Sequence, residues 1–284
     1  MPGGPVSPAM SDPREALDAI GQLPDTEIDI ADAALQFARI DAPAADWRAA
    51  REHLSELARG TVALAATIDE DDLPARAIAL SGLLGARYGY TGDTITYDDP
   101  VNANLIHVTE RRRGLPVALG IIWLHAARAA NWDGHGVDFP AHFLVALKGK
   151  AAQAILDVFN GGTPLNARDL RALLKRVEGD KAELRPGLLQ PMSARRVLLR
   201  LQNNIMTRRL QASDVEGGVT VAEDMLRIAP DHAELWRQTG LLNQKLDRVA
   251  AALRCFRRFL ELVPSGDAAD RVRAVADQLR TRLN

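Results

Sequence analysis

The sequence predicts an α+β domain with a small antiparallel sheet, followed by an all-α helical repeat. Three observations carry that expectation. Residues 114–162 read GLPVALGIIWLHAARAANWDGHGVDFPAHFLVALKGKAAQAILDVFNGG, an apolar helix opened by proline and then two strand candidates. The segments before it, over residues 28–40, 46–59 and 74–88, carry the helical period. Residues 199–264 repeat with a period of 34, Pro230 and Pro264 each closing an amphipathic helix.

The N-terminal elements follow from local signals. Residues 1–24 begin rich in proline and glycine and are read as a flexible tail, with Asp12-Pro13 opening a short helix that ends near Gly21. The start lacks a charged segment followed by an apolar core, so no secretory leader is expected. Ile28, Ile30, Ala34, Leu35 and Ala38 share a helical face, as do Trp47, Ala50, Leu54 and Leu57. Asp99-Pro100 reads as a cap and first helical residue for a helix running to Arg113. Asn166, with Asp169 three residues on, caps another.

The central stretch carries the candidate chemistry. Pro116 suits a first helical turn, where a missing N–H is no loss. The helix it opens is apolar nearly all round, hence buried, and Asn131 suits a left-handed stop. His142, Leu144 and Ala146 then alternate with Phe143, Val145 and Leu147, the period of a strand. Residues 151–159 form the next strand. If Gly149-Lys150 is a two-residue turn, Lys148 pairs with Ala151 and His142 pairs directly with Asp157. The expectation is a His142–Asp157 hydrogen bond facing the helix start. A helix start, a histidine and an aspartate in this order suit nucleophile–His–Asp catalysis. Yet Pro116, Val117 and Ala118 offer no nucleophile.

At this point YDDPVNANLIHVTERRRGLPVALG, VDFPAHFLVAL and ILDVFNGG resemble the core of the SirB1 family, which is transglutaminase-like. The family's usual forms are Tyr-Asp-Pro-Asn-Ser, Arg-Arg-Gly-Ile-Pro, Pro-Gly-His-Phe-Leu and Asp-Pro-Phe-Asn-Gly-Gly. The resemblance covers residues 28–215 and implies a transglutaminase-like (papain-like) core. It departs at Ala118, where the family often has serine, at Ala141, which replaces a glycine, and at Val158, which replaces a proline. The wider superfamily has a cysteine at the helix start, and this chain has none there. His142 and Asp157 match the other two members of its triad.

The repeat resembles the tetratricopeptide pattern. Trp236, Gly240, Ala252, Phe256 and Pro264 match in the second unit, and Gly218 and Ala222 stand at the equivalent places of the first. Residues 267–283 suit a capping helix with a wet outer face. Arg185-Pro186-Gly187 and Pro191 mark the seam, dividing the chain into residues 25–190 and 191–284. A long helix capped by Ser193 belongs to the first by resemblance and opens the second by period. That sharing predicts one cooperative unit, with residues 196–284 poorly folded alone. Such a repeat either binds a protein or peptide, or braces the core.

Composition limits the rest. The 284 residues carry a formal charge of −2 and a pI near 6.3, which points to neither nucleic acid nor a membrane surface as partner. The most apolar run, residues 115–124, is too short to span a bilayer. One cysteine, Cys255, excludes an internal disulfide and fits a cytoplasmic setting. On a helix of the repeat it reads as a small buried hydrophobe, not a nucleophile. Arg111, Arg112 and Arg113 read as a solvated helix end or as an anion pocket. His107, His125 and His135 lack ligand-like spacing, so neither metal nor cofactor is expected. Two functional readings remain. One is a non-catalytic, transglutaminase-derived binding or regulatory module. The other is a hydrolase or acyltransferase using His142 and Asp157. The oligomeric state has no signal in the sequence.

Overall fold

Side-chain caps decide where the helices begin. The computed structural model describes residues 12–281. These divide into a unit of residues 24–201 and a second unit that joins the residues up to Leu23 to those from Gln202 onward. In the first unit, Asp29 caps α2 (Ile30–Asp41), Asp46 caps α3 (Trp47–Ala65) and Asp72 caps α4 (Leu73–Ser81), each carboxylate accepting from first-turn amides. α4 runs on into a π-helical turn, Gly82–Arg87. β1 (Thr91–Gly92) then pairs in parallel with β2 (Arg113–Gly114).

The helix expected from Asp99 is broken in two. Pro100–Ala103 forms a 3₁₀ turn, and α5 (Leu105–Arg111) restarts at Asn104. The reason is that Asn104 is itself a cap. Its Oδ1 accepts from the Ile106 and His107 amides at 3.0 and 3.5 Å. Its Nδ2 donates to the Ala38 carbonyl at 3.1 Å, which holds this extended residue against α2.

α6 (Pro116–Ala129) is buried along most of its length, as its apolar circumference requires. Behind it lie β3 (Gly134–Phe139), β4 (His142–Lys148), β5 (Gln153–Asp157), β6 (Thr163–Leu165) and β7 (Pro191–Met192), in the spatial order β6-β5-β4-β3-β7 and antiparallel throughout. One sheet face meets α6, where Phe143 lies against the backbone at Gly120. On the other face Val137, Phe139, Leu144, Ala146 and Ile155 form a core with Leu170, Leu173 and Leu174 of α7 (Ala167–Glu178). α7 opens with the expected capping box of Asn166 and Asp169. Asn131 adopts a left-handed conformation after α6, with φ 56°.

The second unit is helical. α8 (Ala194–Gln211) contributes residues to both units. α9 (Val215–Ile228), α10 (Ala233–Lys245), α11 (Val249–Leu262) and α12 (Asp267–Thr281) follow. Gly240 lets α10 approach the ring of Phe256, because a Cβ there would lie 2.5 Å from the ring. Phe256, Phe259, Val272, Ala276 and Leu279 form the core beneath α12.

Of the N-terminal stretch taken as a tail, residues 1–11 lie outside the described residues. Pro13–Gly21 forms α1, capped by Asp12. α1 belongs to the helical unit: Leu17 is fully buried, Arg14 Nε lies 2.9 Å from Asp224 Oδ1, and Asp18 lies 2.8 Å from Arg227.

Candidate functional site

The start of α6 is largely buried. Leu115, Val117 and Ala118 are buried, and the Leu115 amide donates to the Asn102 carbonyl at 2.8 Å. Gly114 passes so close to Val108 and Asn102 that a Cβ there would lie 2.8 Å from Val108 Cγ2. Val117 and Ala118 are thus buried, Pro116 is half-buried, and none of the three carries a nucleophile.

His142 and Asp157 lie on adjacent antiparallel strands, but not opposite each other. The β4–β5 ladder pairs Lys148 with Gln153 and Val145 with Leu156. Residues 149–152 form a four-residue connection, closed by the Gly149 amide on the Ala152 carbonyl at 2.8 Å. The expected Lys148–Ala151 pairing is therefore displaced by two residues. Continued in the same step, the ladder sets Asp157 across from Leu144, and His142 becomes its diagonal neighbour on the same face. Diagonal neighbours are roughly 7–8 Å apart, a wider spacing than direct opposition gives. Among the described residues, no hydrogen bond or ion pair joins His142 to Asp157.

Asp157 has other work. It is buried, and its carboxylate accepts from the amides of Phe159 and Asn160 at 3.1 and 3.3 Å and from Asn160 Nδ2 at 2.7 Å. It caps the 3₁₀ turn at 158–160 that closes the Asn160-Gly161-Gly162 bend. His142 shares its sheet face with Phe139, its partner in β3, and so with the α7 side. Phe143 takes the α6 side. The expected orientation toward the start of α6 is not what strand alternation delivers. Burial holds the His142 imidazole below its ordinary value; Asp157 opposes that shift and Arg176 of α7 adds to it. The ring is therefore neutral near pH 7.

The three arginines diverge, so they form no shared anion pocket; Arg111 and Arg113 are exposed at the end of α5 and Arg112 is half-buried. Arg111 donates to Asn102 Oδ1 at 3.1 Å and pairs with Asp93 Oδ2 at 2.9 Å. Arg112, left-handed at φ 59°, donates to Tyr90 Oη at 2.9 Å and lies 3.4 Å from His53 Nδ1. Arg113 is exposed and donates to the Gly89 carbonyl at 3.0 Å.

Asp93, which sequence reasoning passed over, organises the loop that follows it. Its carboxylate accepts from the Thr96 amide and hydroxyl, both at 2.8 Å, and from the Ile95 amide at 3.0 Å. These bonds, led by the Thr96 amide, and Arg111 hold its carboxyl well below the usual range. The loop presents Tyr97 edge-on to Phe159, ring centroids 5.9 Å apart. Thr91 Oγ1 donates to the Phe159 carbonyl at 3.0 Å, and Gly92 admits the Phe159 ring. The motif blocks around Tyr97, Arg111 and Phe159 thus converge on one joint, where their side chains serve packing and loop closure. Among the described residues, no group of three or more His, Cys, Asp or Glu is placed to hold a metal ion.

Comparison with known proteins assigns this architecture. Residues 48–203 match the transglutaminase-like superfamily, and residues 206–280 match the tetratricopeptide repeat. The chain belongs to the transglutaminase-like superfamily. It is 32% identical to a UPF0162 protein of Xylella fastidiosa over 70% of this chain and 72% of that one. It is 31% identical to a UPF0162 protein of Pseudomonas aeruginosa over 80% and 84%. It is 24% identical to Protein SirB1 of Salmonella typhimurium over 69% and 72%. The SirB1-like resemblance of the sequence blocks is thereby established, as is the α+β transglutaminase-like core followed by a tetratricopeptide-like region.

Proposed function

We propose that this transglutaminase-like protein is not an enzyme and acts as a protein- or peptide-binding, regulatory module. The observation that carries the reading is the start of α6, where Val117 and Ala118 are buried and no nucleophile stands. The separation of His142 from Asp157 supports it, since an imidazole without a bonded carboxylate lacks the tautomer control a triad needs. The tetratricopeptide region supports the binding half, because stacked helical pairs build extended surfaces for partners. A single cysteine suits a reducing, cytoplasmic setting. Among the described residues no helix is long and apolar enough to cross a membrane.

The competing reading is a hydrolase or acyltransferase in which neutral, half-buried His142 acts as a base. General acid–base assistance alone supplies roughly 10² to 10⁴-fold, enough only for an activated substrate. The test compares p-nitrophenyl ester hydrolysis and acyl transfer to amines by the full chain and by His142→Ala. Equal rates are expected. A rate above background that vanishes in His142→Ala and Asp157→Asn, with both variants folded, would establish catalysis and refute the module reading.

A further inference from the structure

Between α9, α10 and α11, with Asp18 of α1 at its edge, lies a cavity of about 550 Å³. Its floor is apolar: Leu226, Trp236, Ala251 and Cys255 line it. Trp236 is fixed there because its indole N–H donates to the Pro230 carbonyl at 2.8 Å. Burial pushes the Cys255 thiol up to about 11, so it is a neutral part of that floor.

The charges around the floor are not all paired. Arg227 holds Asp18 at 2.8 Å, and Arg258 holds Glu261 at 3.1 Å and Asp231 at 3.0 Å. Elsewhere in the same unit Arg237, Arg248 and Arg273 likewise have carboxylate partners. Arg254 and Arg257 differ. Both line the cavity, both are exposed, and among the described residues neither has a hydrogen bond or ion pair. They are one turn apart on α11, so both guanidinium groups serve the same edge. Against them stands one unpaired carboxylate, Glu223, whose charge is felt at Cys255. Arg254 and Arg257 are thus the arginines of the lining without a carboxylate partner, and they stand together on one edge of the apolar floor.

We propose that this groove binds a peptide segment of another protein that presents carboxylates beside an apolar side chain. The proposal rests on the binding-module reading above and names its partner class. The apolar side chain covers Trp236 and Leu226, while a carboxylate bridges Arg254 and Arg257 through charge-assisted hydrogen bonds. Glu223 repels a second acidic group placed near Cys255, which sets the direction in which the segment lies.

The test uses the full chain and three short fluorescein-labelled peptides: alternating leucine and glutamate, its glutamine counterpart, and its lysine counterpart. Anisotropy should show the glutamate peptide binding best. The exposed double variant Arg254→Gln/Arg257→Gln should weaken it by about tenfold or more, as should raised salt. The bound peptide should also slow alkylation of Cys255, the sole thiol. If the glutamate peptide binds no better than the glutamine one, or binds the double variant as well as wild type, the groove assignment is overturned. Tight binding of any peptide in that outcome leaves the wider module reading standing. Self-association abolished by the double variant would replace the peptide with a second copy of the chain and likewise overturn the proposal.

Discussion

Gly120→Ala tests the side of β4 on which the site lies. A Cβ at Gly120 would sit 2.1 Å from Cε1 and 2.8 Å from Cδ1 of Phe143. The ring has little room to retreat. It is 1% exposed, and on β3 a Cβ at Gly136 would lie 2.7 Å from its Cζ. Overpacking a core by a methyl costs about 1–3 kcal/mol, and a ring walled by two backbones belongs at the upper end. Replacing glycine by alanine inside a helix returns about 1 kcal/mol. The net loss is about 2 kcal/mol, or a fall of roughly 4–8 °C in the thermal midpoint. Phe143→Ala alone should cost about 3–5 kcal/mol. In the double variant the new methyl enters the vacated space, so the two costs should fall short of additive by about 2 kcal/mol. The assay is chemical denaturation of the four members of this cycle. An unchanged or raised midpoint for Gly120→Ala, or additive costs, would refute the placement of Phe143 against α6. It would also reopen the orientation of His142, its neighbour in the strand.

Two titrations follow. The His142 imidazole, followed by NMR, should titrate below its ordinary value of about 6.5. Asp157→Asn should lower it further and Arg176→Ala should raise it. Because the folded value lies below the unfolded one, His142 subtracts stability as pH falls through about 6.5. His142→Gln should flatten the stability profile there, and an unchanged profile would count against burial as the cause. Asp93 has the carboxylate sign: its folded value is depressed, so its contribution is complete above about pH 4 and is lost as pH falls below that. Asp93→Asn should therefore be less stable at neutral pH and lose less on acidification, as read by thermal midpoints over that range.

Much of this fold is legible because short-range chemistry writes it. Asp29, Asp46 and Asn166 start helices where their side chains can reach first-turn amides, and Pro116 starts α6. Alternation in His142–Lys148 shows a strand with two covered faces. The error in register has an equally physical origin. A slip of one residue would turn Leu144 and Ala146 to the wrong face, and the pattern forbids it. A slip of two preserves every face, and Ala151-Ala152 carries no bulk to resist it. The hydrophobic pattern is therefore blind to the displacement that separates His142 from Asp157. The pairing of Asp93 with Arg111 was illegible for another reason: Arg111 lies 18 residues on, and nothing local joins the two. Arg254 and Arg257 look like any solvated helix face until the pairing of their neighbours is seen.

The N-terminal helix bears on whether the repeat folds alone. A fragment of residues 196–284 lacks α1. Leu17, fully buried in the chain, would leave its site open, and burying such a side chain contributes about 1.5–3 kcal/mol. Asp224 is 4% exposed and is held by Arg14 at 2.9 Å and Arg227 at 3.1 Å. Without α1 it keeps only Arg227, which itself loses Asp18. Each half-exposed pair adds about 0.2–1 kcal/mol. The sum, about 2–5 kcal/mol, is a large share of what a small domain has to spare. The close approach of α1 adds a geometric test, since a Cβ at Gly21 would lie 2.0 Å from the Arg227 carbonyl oxygen. Gly21→Val in the intact chain should therefore displace α1 and mimic its removal. The expected result is a broad, low thermal transition by circular dichroism for the 196–284 fragment. A sharp transition at the temperature of the intact protein would show that the repeat stands alone. The ion pairs of α1 would then be a surface decoration, and the repeat an independent partner-binding module.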